Sequence, residues 1–230
     1  MSAFGDAFDY LIHERVPEQG AEPVGGDQVL GLIWDHLELT FASMGIACAV
    51  AIPIGLALGH TGRGQFLATS ISNVGRAVPS FALVAFFFAF LGASFINVTL
   101  ALVLLAIPPI LTNTFVGVTQ VDRDTVDSAR GMGMTEGEIV RRVELPLALP
   151  LVFGGVRTST VNVIATATLA PLIGVSSLGD PIIAVNTHGE SGRLAAAIVV
   201  ALLAVASEVI LGAAQRATTP RGLKLAMETQ

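Results

Sequence analysis

Long stretches without a charged side chain limit what this chain can fold into. Residues 39–58 form one such stretch, and residues 77–107 form a longer one of 31 residues. A helix of about 20 apolar residues rises about 30 Å, which is the thickness of the hydrocarbon core of a bilayer. Charged residues make up only 13% of the chain, against about 25% in ordinary soluble domains. The sequence therefore predicts an all-α integral membrane protein.

We predict five membrane-spanning helices. The run 77–107 is too long for one span, so it is divided at 92–97, where small and polar residues gather. The predicted spans are 39–58, 71–91, 97–118, 149–174 and 194–214. Prolines inside them are interpreted as kinks rather than as a gate, because neighbouring helices can satisfy the carbonyls that proline leaves unpaired. Gly55 and Gly59 have the spacing of pairs that seat a neighbouring helix.

The N-terminal segment is acidic, and no basic stretch precedes an apolar core, so no cleavable signal peptide is expected. Phe4, Phe8, Leu11 and Ile12 recur at helical spacing. Two alternatives remain open for them: a helix that lies on the membrane surface, or a loosely ordered tail. Residues 18–27, rich in glycine and proline, are predicted to be a linker.

A polar loop, residues 120–148, separates the third and fourth predicted spans. Its charged residues are Asp122, Arg123, Asp124, Asp127, Arg130, Glu136, Glu138, Arg141, Arg142 and Glu144. Thr135 followed by Glu138 has the form of a capping box, which predicts the start of a short helix. Pro146 is expected to disfavour helical geometry at Leu145 and to break the run there. Small side chains and Gly133 would let a partner approach closely; the alternative is an ordinary solvated loop.

The basic residues decide the predicted topology. With the polar loop inside, eight of them lie on cytoplasmic segments, and only Arg15 and Arg193 lie on external ones. This distribution satisfies the positive-inside rule. It places the amino end outside and the carboxyl end inside, and it makes residues 175–191 an external loop.

The fourth predicted span is rich in hydroxyl and amide groups. The candidates for a translocation path are Thr158, Ser159, Thr160, Asn162 and Thr166, together with Pro79 of the second span. Such groups either line a pathway or hydrogen-bond across helices and only pack, and both alternatives remain open. Glu208 interrupts the fifth span. An acid at that depth invites a functional role, but its place near one end favours a structural one, in which it is paired or reaches the interface.

The sequence lacks the motifs of several kinds of chemistry. It has no Gly-rich Lys-Ser/Thr phosphate loop and no serine nucleophile elbow, its four histidines are scattered, and Cys48 is its only cysteine. Carboxylates do not line the middle of the spans, as a proton-coupled secondary carrier requires. We therefore expect a non-catalytic chain with no cofactor or metal and no nucleic-acid partner. If it moves a solute uphill, the energy enters from elsewhere, and the polar loop is the sequence feature suited to receiving it.

The spacing inside the polar loop resembles the Glu-Ala-Ala loop of permease subunits in bacterial ABC importers. Asp127, Ser128 and Ala129 are followed, after three positions, by Gly133. Nine positions later comes a short apolar group, which is Val143, one spacer and Leu145-Pro146. The resemblance implies that these residues couple the chain to a cytoplasmic ATPase: Asp127, Ser128, Ala129, Gly133, Val143, Leu145 and Pro146. Asp127, Ser128 and Val143 are conservative departures from the Glu, Ala and Ile that are usual there.

Further stretches resemble the osmoprotectant branch of these permeases, and the resemblance covers about residues 36–225. They are Arg76-Ala-Val-Pro-Ser80, Ile107-Pro-Pro-Ile-Leu-Thr-Asn-Thr-Phe115, Val143-Glu-Leu-Pro-Leu-Ala-Leu-Pro150, Gly155-Val-Arg-Thr-Ser-Thr160, Ala167-Thr-Leu169, Leu178-Gly-Asp180 and Thr219-Pro-Arg-Gly222. The resemblance implies an inner-membrane permease for glycine betaine, choline or carnitine. Permeases for methionine share the five-span plan and are the nearest alternative; a secondary carrier and a non-transporting membrane scaffold are alternatives of other classes.

The same resemblance implies the partners. They are a dimer of cytoplasmic ABC ATPases that holds ATP and Mg, a second permease copy or a paralogue, an extracytoplasmic solute-binding protein, and the lipid bilayer. Tight capture of a quaternary ammonium ion commonly uses an aromatic cage, yet Trp34 and Tyr10 are the only residues of their kinds here. High-affinity recognition is therefore assigned to the separate binding protein.

The chain is accordingly predicted to have three parts. Residues 1–36 form an extracytoplasmic N-terminal segment, residues 37–216 form the permease transmembrane domain, and residues 217–230 form a cytoplasmic tail.

Overall fold

The computed structural model describes residues 3–16, 23–62 and 64–218, and helices dominate it. Helix α1 covers Ala3–Ile12, and the strands β1 (Glu14–Arg15) and β2 (Val24–Gly25) form a short antiparallel pair. The next helices are α2 (Asp27–Thr61), α3 (Gln65–Ala77), α4 (Ser80–Leu91) and α5 (Phe95–Thr119). They are followed by α6 (Arg123–Gly131), α7 (Glu136–Ile139), a π-helical segment (Val140–Glu144), α8 (Leu145–Ala167), a 3₁₀ turn (Ala170–Ile173), α9 (Asp180–Ile183) and α10 (Val185–Thr218).

Four helical stretches of the described chain are long and apolar enough to cross a membrane. They are Asp27–Thr61, Phe95–Thr119, Glu136–Ala167 and Val185–Thr218. The prediction of a multi-pass helical membrane protein is thus confirmed. Helix α2 begins twelve residues before the predicted first span, because its N-terminal part buries Val29 and Leu32 and Asp27 complements the helix dipole in the first turn.

The second predicted span, 71–91, is not one helix. Helices α3 and α4 are separated at Val78–Pro79. Pro79 stands at the N-cap of α4 with φ −63° and ψ 129°, which is extended rather than helical backbone. A proline disfavours helical geometry in the residue before it, so Pro79 separates two helices where a kink was expected. The 12 residues of α4 rise only about 18 Å, which is too short for a complete span.

The fourth predicted span, 149–174, ends earlier than expected. Helix α8 stops at Ala167, and Pro171 lies in the 3₁₀ turn that follows. In a continuing α-helix the amide of residue 171 would donate to the carbonyl of Ala167, but proline has no N–H. The Ser177 hydroxyl donates to that carbonyl instead, at 2.9 Å.

The external loop predicted over 175–191 contains helical structure. It includes α9 and the first turn of α10. Helix α10 is interrupted after this turn at Gly189, whose φ is 71°. The sequence left open whether the N-terminal segment is a helix or a loosely ordered tail. Residues 3–12 form helix α1, which resolves these alternatives in part. Half of the linker predicted over 18–27 lies outside the described residues; of its described part, Val24–Gly25 forms β2 and Asp27 begins α2.

The chain folds as two compact units. The first contains residues 1–44, 79–103 and 160–206. Its buried core includes Ala7, Tyr10, Val24, Val29, Leu32, Leu178 and Ala195. The Tyr10 hydroxyl and His188 Nδ1 lie 2.6 Å apart. Burial raises the pKa of Tyr10 to about 12, so the phenol keeps its proton and can donate it to the imidazole nitrogen.

The second unit contains residues 45–78, 104–159 and 207–230, and its helices meet at small residues. A Cβ placed on Gly55 would lie 2.7 Å from Thr114 Cβ, and one on Gly59 would lie 2.6 Å from Val118 Cβ. The prediction that Gly55 and Gly59 seat a helix is therefore confirmed, and that helix is α5. A Cβ on Gly155 would lie 2.8 Å from the Pro109 carbonyl oxygen, so α8 also approaches α5 closely.

Candidate functional site

The polar loop begins with a capped helix whose motif residues face two ways. The Asp122 side chain accepts a hydrogen bond from the Asp124 amide at 3.2 Å and caps α6. Asp127 and Ser128 are exposed on α6, whereas Ala129 is buried. Ala129 belongs to a small core that the loop makes for itself, with Val121, Val126 and Ile139. A small residue at 129 is therefore needed inside the loop, a role that sequence reasoning had assigned only to close approach by a partner.

Gly133 reverses the chain after α6. Its φ is +88°, a left-handed conformation that glycine adopts without steric cost. The Met134 amide returns to the Ala129 carbonyl at 3.2 Å, and the Gly133 amide donates to the Arg130 carbonyl at 3.0 Å. Apart from its two chain neighbours, no atom of the described residues would lie within 4 Å of a Cβ on Gly133. The surface around Gly133 is therefore open.

The short helix predicted after Thr135 is present as α7. The Glu138 amide donates to Thr135 Oγ1 at 3.4 Å, and the Thr135 amide donates to Glu138 Oε2 at 3.0 Å. Both bonds of the capping box are thus made, and this prediction is confirmed.

The expectation that Pro146 breaks the helix is wrong. Leu145 is helical, with φ −60° and ψ −49°, and Pro146 and Pro150 both lie inside α8. The backbone forms a π-helical segment over Val140–Glu144 just before the proline, and the Leu145 amide bonds to the Val140 carbonyl. Widening a helix by a π-turn is one of the adjustments that accommodate proline. Val143 packs against the loop core, while Leu145 and Pro146 are half-buried.

A charge network crosses the polar loop and reaches α2. Arg130 donates to Asp127 at 2.8 Å and to both Glu136 oxygens at 2.9 and 3.0 Å, and the Glu136 carboxylate raises the pKa of Arg130. His60, in the last turn of α2, lies 3.1 Å from Glu136 through Nε2 and 2.8 Å from Glu144 through Nδ1. Glu144 is 2% exposed.

Sequence reasoning missed His60 and Glu144 as a site, because 84 residues separate them along the chain. The available signal was an acid between two apolar motif residues. Such an acid needs a partner if it is buried, but the sequence does not name that partner.

The candidate path residues are in different environments. Thr158 and Asn162 are exposed, and Thr160 and Thr166 are half-buried. Ser159 is buried and donates to the Ala106 carbonyl of α5 at 2.8 Å, which is a packing contact between helices. Pro79 is an exposed N-cap of α4.

Arg157 and Glu208 form an ion pair between α8 and α10. The Arg157 guanidinium also donates to Gln215 Oε1 at 2.9 Å, and the Gln215 amide donates to the Pro150 carbonyl at 2.9 Å. The structural role preferred for Glu208 is therefore supported, since each charge at this depth has its counter-charge.

The fold and the loop together define a helical inner-membrane transport component. Residues 51–221 match the model of the family described as binding-protein-dependent transport system inner membrane component. The chain belongs to this family, as the resemblance in its polar loop indicated.

Relatives and solved structures agree with this assignment. The choline transport system permease protein OpuBB of Bacillus subtilis is 36% identical over 200 residues, covering 86% of this chain and 92% of the relative. The carnitine transport permease protein OpuCB of Listeria monocytogenes is 37% identical over 204 residues, covering 88% and 94%. The inward-facing MetNI methionine ABC transporter shares the fold, with a TM-score of 0.72 at 20% identity over 84% of this chain and 96% of that one.

Proposed function

We propose that this chain is the permease subunit of an ATP-driven importer for a quaternary-amine osmoprotectant, namely glycine betaine, choline or carnitine. The observation that carries the proposal is the similarity to relatives named for transport of choline and of carnitine, at 36% and 37% identity over most of both chains. The methionine transporter is similar at only 20% identity, so it supports the fold and not the solute.

The aromatic residues support a separate binding protein for recognition. Tyr10 is 1% exposed and hydrogen-bonds to His188, so its ring is not available for a cation cage. Trp34 is 70% exposed on α2, and a single aromatic face is not a cage. High-affinity capture is therefore assigned to an extracytoplasmic solute-binding protein.

The polar loop is proposed to dock on a dimer of cytoplasmic ABC ATPases, which would hold ATP and Mg. The exposed side of the loop offers Asp127, Ser128 and the open surface at Gly133. Ala129 and Val143 support that side from within the loop core, and Leu145 and Pro146 continue the loop into α8. A loop with its own core and caps is already shaped for a partner, so docking loses little conformational entropy.

Three polar residues on one side of α8 are proposed to line the path: Thr158 and Asn162, which are exposed, and Thr166, which is half-buried. Thr158, Asn162 and Thr166 are spaced four residues apart, and amide or hydroxyl groups facing hydrocarbon are unfavourable. A second permease copy or a paralogue would cover this face and create a polar lining. Asn162→Leu should then reduce uptake at normal membrane abundance; unchanged uptake would remove Asn162 from the path.

The five-span topology, with the amino end outside, is also part of the proposal. Helix α5 is a neighbour of α2, with Gly55 near Thr114 and Gly59 near Val118. Because these contacts advance in the same direction along both helices, α2 and α5 run parallel to each other. If both cross the membrane, residues 62–94 must return across it between them, and α3 and α4 are the helices available.

Thiol labelling tests the orientation. In a Cys48→Ser background, Glu190→Cys should react with an impermeant reagent from outside, while Asp124→Cys should be protected in intact cells. Both positions are exposed. Labelling of position 124 from outside would overturn the topology.

Uptake by the reconstituted complex tests the solute. Proteoliposomes containing the permease and its ATPase, supplied with ATP and the binding protein, should accumulate a quaternary amine and ignore methionine. Accumulation of methionine with no response to glycine betaine, choline or carnitine would overturn the osmoprotectant assignment.

A further inference from the structure

His60 connects α2 to the polar loop through two carboxylates. Its Nδ1 lies 2.8 Å from Glu144, and its Nε2 lies 3.1 Å from Glu136. Glu144 is buried in the π-helical segment, and Glu136 is at the exposed start of α7. Both ring nitrogens are thus used, and they contact two separate parts of the loop.

The number of protons limits these contacts. An ionised carboxylate only accepts hydrogen bonds, and a neutral imidazole has a single N–H. Both contacts can be hydrogen bonds to carboxylates only when His60 is an imidazolium. Loss of that proton leaves a ring lone pair facing one carboxylate, so one of the two contacts is then lost.

The groups around this pair form one network. Two nitrogens of the Arg130 guanidinium donate to the two oxygens of Glu136, and its third nitrogen donates to Asp127. Among the described residues, Arg123 also lies near the end of α2, with its guanidinium 3.7 Å from where a Cβ on Gly62 would stand. The contact from Nε2 to Glu136 therefore reaches the motif residue Asp127 in two further steps.

We propose that His60, as an imidazolium, is a positioning residue that transmits movement of the polar loop to α2 and loosens this link when it loses its proton. The proposal rests on the proposed function, in which the loop docks on the ATPase. It adds that docking and transmission use different residues of the same loop.

A purely structural role would need only the bond to Glu144. The two roles separate because asparagine and glutamine match different nitrogens of the ring. The amide nitrogen of asparagine is three bonds from Cα, as Nδ1 is, and that of glutamine is four bonds away, as Nε2 is. His60→Asn therefore keeps a donor for the buried Glu144 and removes the contact to Glu136, whereas His60→Gln does the reverse.

The experiment uses the complete complex of permease, ATPase and binding protein in proteoliposomes, with glycine betaine, choline and carnitine as solutes. Uptake and ATP hydrolysis are measured in parallel over a series of pH values. For the unaltered protein we expect the solute moved per ATP to fall at least threefold as pH rises. At every pH, His60→Asn should move as little solute per ATP as the unaltered protein moves at high pH. Its abundance and its co-purification of the ATPase should be normal. His13→Asn, an exposed histidine paired with Asp9, is the matched control and should keep the pH profile of the unaltered protein.

Two further results decide the inference. Glu136→Ala should lower the ratio as His60→Asn does, and combining the two should add nothing, because both remove the contact between His60 Nε2 and Glu136. A His60→Asn complex with the ratio and pH profile of the unaltered protein would overturn the inference while leaving the proposed function intact. Failure of the unaltered complex to take up any quaternary amine would overturn the proposed function, and the inference with it.

Discussion

Replacement of Gly133 by leucine tests whether the polar loop is the docking element. The position has a φ of +88° and open space where a Cβ would stand. A side chain with left-handed backbone costs about 1–2 kcal/mol, and no clash within the chain adds to that cost. Domains are commonly stable by about 5–15 kcal/mol, and the loop keeps its own core. Gly133→Leu should therefore insert and fold, with its added volume directed at whatever approaches the loop.

The assay compares three quantities for each variant: membrane abundance, co-purification of the ATPase, and solute uptake. Gly133→Leu should retain near-normal abundance, lose uptake and lower co-purification at least tenfold. Gly133→Ala carries the same backbone strain with little volume, and Gly133→Asn is a residue that tolerates the left-handed region. We expect uptake to fall in the order Asn, Ala, Leu.

The comparison separates strain from volume. If alanine is as harmful as leucine, the backbone geometry is the requirement and the surface is not. Normal uptake by Gly133→Leu would refute the reasoning altogether, because a docking surface that accepts a bulky residue at its open glycine is not in close contact there.

Two other predictions concern the membrane helices. Gly59→Leu should destabilise the protein by about 1–3 kcal/mol, because a Cβ at 59 would lie 2.6 Å from that of Val118; thermal unfolding in detergent measures this. Gly45→Leu, on the same helix with no neighbour within 4 Å, is its control, and equal losses would argue against a tight contact at 59. Arg157→Leu and Glu208→Leu should each lower the yield of folded protein, since each removes the counter-charge of the other residue, and the double variant should recover part of the lost yield. A double variant as poor as the sum of both would contradict the pairing.

Local sequence patterns predicted local structure well. The capping box of Thr135 and Glu138 needs only residues three apart, and both of its bonds are present. The small-residue pair at Gly55 and Gly59 correctly indicated a close helix, although the pattern could not say that α5 is that helix. Apolar length likewise predicted the third span almost to the residue, since α5 covers Phe95–Thr119.

Prolines show where this kind of prediction stops. Pro79 separates two helices, Pro146 lies inside one, and Pro171 lies in a 3₁₀ turn beyond the end of another. The outcome depends on what satisfies the carbonyls that proline leaves free and on how the backbone makes room for the ring. A π-helical segment precedes Pro146, and the Ser177 hydroxyl replaces the amide missing at 171. These compensations depend on the surrounding structure, so the residue type alone does not decide among them.

The contacts of His60 and Gly133 imply that attachment of the loop and transmission through it can be separated. Gly133 faces open space, so its replacement acts on whatever binds from outside. His60 contacts the buried Glu144 and the exposed Glu136, so its replacement adds no volume to the open surface at Gly133. A loop that only attached the ATPase would need the open surface at Gly133 and not the contacts of His60. The buried Glu144 inside the motif would then bring a desolvation cost without a benefit to docking, whereas a loop that also moves α2 requires a firm connection at this point.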